Sequence, residues 1–117
     1  MRNTMTMIEQ QSAFLKDVAK LIEAAERFGL VVTAGELYRT QHQQDLYVKT
    51  GASMVNHSTH QDRMAIDLNF FKSGVLTYKM EDTKAMGDYW ESLSPQNKWG
   101  GRWKDPIDTP HFQRNLV

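Results

Sequence analysis

The sequence predicts a small α+β domain in which an antiparallel sheet packs with about three helices. Three observations predict it. Apolar residues recur at helical spacing near the amino terminus, and they alternate at strand spacing within HSTHQDRMAIDLNFF, residues 57–71. The last fifth of the chain, after a further helical stretch, carries short strand signals set among Gly, Trp and Pro.

From about Ile8 to Phe28 the apolar positions Phe14, Val18, Leu21, Ala25 and Phe28 step by four and three, with Leu15 and Ile22 widening the stripe. Gly29 stands where a left-handed residue closes a helix. LVVTA, residues 30–34, reads as a short strand, and YRTQHQQDLYVKTG as a second helix ending at Gly51. A polar loop, ASMVNHS, follows. The next strand places Met64, Ile66, Leu68 and Phe70 on one face and Ala65, Asp67 and Asn69 on the other, and turns back as a hairpin at Ser73-Gly74. A third helix is expected from roughly Asp82 to Leu93, with Met86, Tyr89, Trp90 and Leu93 toward the core and Ser94-Pro95 as its stop. The tail reads as a strand, a turn and a final strand carrying His111, Phe112 and Gln113.

Composition narrows the function classes. A chain of 117 residues suits one domain, 1–117, that buries about two thirds of its unfolded surface. Fourteen basic and fourteen acidic residues cancel, so no nucleic-acid partner is expected. With no cysteine, thiolate metal sites and cysteine nucleophiles are excluded, and any metal must sit on His, Asp or Glu. No run reaches the length of a membrane span, and MRNTMTMIEQQSAF lacks the apolar core of a signal peptide. Synthesis in a cytoplasm, no membrane insertion and a monomer are the expectations.

The carboxylate at Asp67, on the polar face of a strand seven residues after His60, needs an explanation. On one uninterrupted strand the pair would stand roughly 23 Å apart and point to opposite faces. The polar break Gln61-Asp62-Arg63 suggests a turn that returns His60 beside the strand. His111 is a third candidate, because Pro110 biases the approach to the last strand toward extended geometry. Two imidazoles and a carboxylate can hold a catalytic zinc and leave its fourth position open. Asp108 offers a carboxylate nearby, and Arg39 a permanent cation at a strand-to-helix junction. A lone histidine is more often a surface residue, and an Asp is ordinarily solvated. His57 and His42 are read as surface residues, and Trp90, Trp99 and Trp103 as packing aromatics rather than a peptide groove.

Taken together, the motifs resemble the zinc D-alanyl-D-alanine carboxypeptidase superfamily, which includes vancomycin-resistance dipeptidases and phage L-alanyl-D-glutamate endolysins. The superfamily pattern Ser-x-His-x-x-Gly-x-Ala-x-Asp is similar to Ser58-Thr-His60-Gln-Asp-Arg63-Met-Ala65-Ile-Asp67. Its second motif resembles Asp108-Thr-Pro-His111-Phe112, and Tyr38-Arg39 before Gln41, Gln43 and Gln44, with Trp99-Gly100-Gly101, adds to the likeness. The departure is Arg63 in place of Gly. If that position needs positive φ, an arginine is strained there by roughly 1 kcal/mol or more. Otherwise the turn has another shape, or Arg63 simply pairs with a surface carboxylate.

The resemblance implies a Hedgehog/DD-peptidase-like fold, with zinc (Zn2+) held by His60, Asp67 and His111 and with Asp108 as general base. It further implies that Arg39 faces the oxyanion and Ser58 binds the substrate backbone, although Ser58 is equally a loop serine satisfying its own turn. The expected activity is endolysin-like hydrolysis of a peptidoglycan stem peptide, at the bond between L-alanine and D-glutamate, after release from a host cytoplasm to the wall. A D-Ala-D-Ala carboxypeptidase or dipeptidase would share every catalytic residue. A metal- or wall-binding domain without catalysis is the alternative of another class.

Overall fold

The computed structural model describes residues 5–55 and 57–117. Residues 1–4 of the stretch read for a leader, and Asn56 of the polar loop, lie outside it. The elements run α1 (Met7–Arg27), β1 (Val31–Ala34), α2 (Gln41–Thr50), β2 (Ala65–Lys72), β3 (Val75–Thr77), α3 (Met80–Leu93), β4 (Asn97–Trp99) and β5 (His111–Arg114), with a 3-10 turn at Gly100–Arg102. The sheet order is β1-β2-β5-β4, all antiparallel neighbours, and β3 also pairs with β2. The fold is the expected α+β arrangement of three helices and a small antiparallel sheet.

Local chemistry sets most boundaries. Thr6 and Glu9 form a reciprocal capping box that satisfies exposed amides at the start of α1. Gly29, at φ +72°, follows its last turn. The β2–β3 hairpin turns on Ser73 and Gly74, both at positive φ, as a two-residue turn matched to strand twist requires. α2 begins later than the sequence suggests: Thr40 caps it through the Gln43 amide, which leaves Tyr38 and Arg39 in extended chain before the helix. α3 starts two residues earlier than expected, at Met80.

The core is the apolar face of β2 covered by α1 and α3. Met64, Leu68 and Phe70 are fully buried with Phe14, Leu21, Met86, Trp90, Trp99 and Phe112. Phe14 meets Trp90 edge-on at 5.7 Å, and Phe112 meets both Trp90 and Phe70 at 6.0 and 5.9 Å. Such pairs add about 0.5–1.5 kcal/mol each beyond area burial. Trp99 lies against Gly87 and Gly101, where a Cβ would approach its ring to 2.1 and 2.2 Å. Leu15 and Ile22 do not widen the buried stripe: they are 59% and 42% exposed, because the neighbouring elements cover only the Phe14–Leu21 side of α1. Phe28, also expected inward, is 42% exposed and only touches Tyr89 edge-on.

The uncovered face of β2 carries Asp67. Beyond β1 the chain stays against it: the Gly35 amide donates to Asp67 O at 2.7 Å, and the Asp67 amide to Glu36 O at 2.8 Å. A Cβ at Gly35 would meet the Asp67 carbonyl oxygen at 3.0 Å. No helix among the described residues is long and apolar enough to cross a membrane.

Candidate functional site

The break at Gln61-Asp62-Arg63 is a turn. Met64 N donates to Thr59 O and Arg63 N to His60 O, which folds His60 back over the start of β2. Arg63 takes positive φ, +57°, the conformation for which glycine is the unstrained choice. Its guanidinium sits over the Tyr38 ring at 4.1 Å rather than in a surface ion pair. The Arg39 amide then ties the turn to the chain before α2 by donating to His60 O at 3.2 Å.

Register brings the third group in. β5 pairs antiparallel with β2 so that His111 is the direct partner of Asp67. The turn before β5 is held from several sides: the Asp108 amide donates to Gly100 O, His111 N to Asp108 O, Leu68 N to Pro110 O, and Trp99 Nε1 to Thr109 O at 2.8 Å. Gly100 is required there, since a Cβ would stand 2.2 Å from the Asp108 carbonyl oxygen.

His60, Asp67 and His111 offer ligand atoms that all lie within 4.8 Å of one another. The second nitrogen of each ring decides what the first can do. His60 Nδ1 is 3.0 Å from Leu37 O, a carbonyl that can only accept, so Nδ1 carries the proton and Nε2 is free. His111 Nε2 faces Gln113 Oε1 at 2.7 Å. Thr59 Oγ1 also donates to that oxygen while Gln113 Nε2 donates to Asn115, so the same reasoning frees His111 Nδ1. These two free nitrogens stand 3.5 and 3.4 Å from Asp67 Oδ1, a buried oxygen without a hydrogen-bond partner. Three lone pairs aimed at one point repel unless a cation lies between them, so the residues fit a metal ion. Burial alone would push the Asp67 carboxyl up, yet His111 and His60 outweigh it and hold it at about 2.

The group opens into a cleft of about 460 Å³, also lined by Arg39, Ser58, Trp103 and Asp108. Burial raises the Asp108 carboxyl above its usual range, and the Asp67 charge adds to this against the opposing pull of the histidines. Arg39 is not a free cation. Its Nε donates to Glu36 Oε1 at 2.6 Å, its Nη2 reaches the same oxygen, its Nη1 donates to Gln44 at 2.7 Å, and its plane covers Tyr47. Ser58 is buried, and its Oγ accepts the His60 amide within the turn, the local role considered for it. His57 pairs with Asp62 at the surface, and His42 is exposed.

Sequence reasoning missed Glu36, which receives Arg39 and the Tyr47 hydroxyl; its spacing of three from Arg39 was the available signal. It also gave no role to Gln113, two residues from His111 and therefore on the same strand face. Of the three tryptophans, Trp90 and Trp99 are fully buried, as expected. Trp103 is 37% exposed and lies 4.8 Å from the His111 ring, in the cleft wall.

Fold and site together define a small α+β domain built round a two-histidine, one-carboxylate ligand set. Comparison with known proteins places it more narrowly. The chain belongs to the family described as D-alanyl-D-alanine carboxypeptidase, whose model matches residues 51–114. It is 32% identical over 99 residues to an L-alanyl-D-glutamate peptidase of Listeria phage A118, a match that covers 82% of this chain and 34% of that protein. The chain thus spans about a third of the length of that curated relative. Among solved structures it resembles the L-Ala D-Glu endopeptidase ChiX of Serratia marcescens, with a TM-score of 0.69 and 24% identity over 98% of this chain and 90% of that one. It also resembles a mutant of the vancomycin resistance D,D-pentapeptidase VanY in complex with Zn(II), with a TM-score of 0.58 and 15% identity over 86% and 70% of the two chains. Both likenesses agree with the DD-peptidase-like fold.

Proposed function

We propose that residues 1–117 form one zinc peptidase domain that hydrolyses the stem peptide of peptidoglycan, at the bond between L-alanine and D-glutamate. The observation that carries this reading is the convergence of His60 Nε2, His111 Nδ1 and the unpartnered Asp67 Oδ1 in an open cleft beside a desolvated Asp108. Zinc held by these three side chains supplies Lewis acidity, which acidifies water and polarises a carbonyl. The protein's own groups do the rest. Asp108, whose raised pKa moves it toward the working pH, takes the proton as water attacks and returns it to the leaving amine. Arg39 presents fixed positive charge to the oxygen of the attacked carbonyl, oriented by Glu36 and Gln44. Ser58 retains its hydroxyl proton for a substrate carbonyl, since its oxygen is the acceptor in the turn. The phage and Serratia relatives named for L-Ala-D-Glu cleavage support the choice of bond, and a phage setting implies synthesis in a host cytoplasm and action on the wall after release.

Mass spectrometry of muropeptides from purified sacculi tests the reading. New L-alanine carboxyl and D-glutamate amino termini are expected, with one zinc per chain. Release of free D-alanine would instead mark a D,D-carboxypeptidase. Stoichiometric zinc with no new amino groups would mark a binding module.

A further inference from the structure

α2 buries a single side chain among its ten residues, Gln44, which is fully shielded from solvent. Both ends of its amide are engaged. Oε1 accepts from Arg39 Nη1 at 2.7 Å, while Nε2 donates to Ser53 Oγ at 2.9 Å and to Val55 O at 2.5 Å. The amide therefore joins an arginine on one side of the helix to the loop that follows its other end. Buried polar groups joined this way are rigid, because breaking one bond leaves a desolvated donor or acceptor behind.

The loop has a place in the cleft. Residues 52–55 line it together with His60, Asp67 and Asp108, and two large apolar side chains stand at its rim, Met54 at 85% exposure and Val55 at 52%. Apolar side chains over a polar floor offer a bound peptide something to cover. Glu36 fixes the Nε edge of Arg39 on its own, so Gln44 controls the other edge, at Nη1.

We propose that Gln44 is a positioning residue that couples the orientation of Arg39 to the apolar rim, so that seating a peptide against Met54 and Val55 and aligning the guanidinium are one event. Gln44 touches no reacting atom. The proposal rests on the peptidase reading above, and it predicts a separation that simple packing does not.

Gln44→Glu retains an acceptor for Arg39 but has no proton for Val55 O, so it frees the rim and leaves the arginine held. Gln44→Met frees both the rim and the Nη1 edge of Arg39. Both variants are compared with the wild type as zinc-loaded protein. In Gln44→Glu the Ser53 amide, which donates to Tyr47 O, should exchange about tenfold faster. KM for a soluble stem peptide should rise on the order of tenfold with kcat within about threefold. Gln44→Met should lose kcat as well, and with it the protection of the Arg39 Nη1 protons, while Nε stays held by Glu36. Unchanged Ser53 exchange in Gln44→Glu would overturn the proposal, as would kcat and KM worsening together, in step with melting temperature, in both variants. If the wild type cleaves no stem peptide, the peptidase reading fails separately. Ser53 and Arg39 exchange then decide the coupling without turnover.

Discussion

The Arg63 guanidinium lies 4.1 Å from the centre of the Tyr38 ring, and this contact fastens the turn that carries His60 to the segment that carries Arg39. It also offsets the cost of an arginine at φ +57°. Left-handed backbone costs a non-glycine residue about 1–2 kcal/mol, whereas an exposed cation–π contact contributes about 0.5–1 kcal/mol.

Two substitutions separate these effects. Arg63→Gly removes strain and contact together, so its stability should equal or slightly exceed that of the wild type. Arg63→Ala removes only the contact and should melt lower, by about 0.5–1 kcal/mol. Thermal unfolding that ranked alanine above glycine would show that the backbone at this position is not strained.

Metal should act as a ligand of the folded state alone. At a thousandfold excess over Kd, zinc should add about 4 kcal/mol to stability, and a chelator should remove both this and activity. His60→Ala, Asp67→Ala and His111→Ala should each lose most of the zinc, while His57→Ala and His42→Ala keep it. Retention of stoichiometric zinc by His111→Ala, measured by atomic absorption, would mean that the third ligand is misassigned.

Asp108 should trade stability for chemistry. Its pKa is raised on folding, so the native state holds this proton more tightly than the unfolded chain. The stability that comes with the neutral form is present at low pH and lost as pH rises through the raised pKa. At neutral pH the desolvated carboxylate is therefore unfavourable. Metal-free Asp108→Asn should melt above the wild type at pH 7, with the advantage vanishing in acid. The zinc-loaded variant should keep its metal and lose about 10²- to 10⁴-fold in kcat. Parallel loss of zinc and activity would make Asp108 a ligand instead.

For Arg39, a partner charge that exists only during attack implies a loss in kcat rather than in binding. Arg39→Ala should retain zinc and lose roughly 10²- to 10³-fold in kcat, with KM changed far less. Arg39→Lys should recover only part, since one ammonium cannot span Glu36 and Gln44 as the planar fork does. A variant that shows only a raised KM would remove Arg39 from the oxyanion role.

By itself the sequence determined the elements and the chemistry available to them. Helical spacing specified α1 and α3, alternation specified β2, and Gly29, Gly51 and Ser73-Gly74 marked ends and turns, because these signals depend on residues a few positions apart. It also limited any metal site to His and carboxylate ligands, and motif resemblance named His60, Asp67 and His111. Tertiary structure decided what distance along the chain conceals. Only the β2–β5 register sets His111 opposite Asp67, and only the covering of one side of α1 leaves Leu15 and Ile22 exposed. Which nitrogen of each histidine is free depends on Leu37 O and Gln113 Oε1. Glu36 and Gln44 stand only three and five residues from Arg39, but that Gln44 also ties it to the loop at Ser53 and Val55 became visible only in the folded chain. The physical reason is one of range: propensity and periodicity act over a single turn or strand, whereas a ligand set needs lone pairs from distant segments aimed at one point, which packing and hydrogen bonds of the whole fold direct.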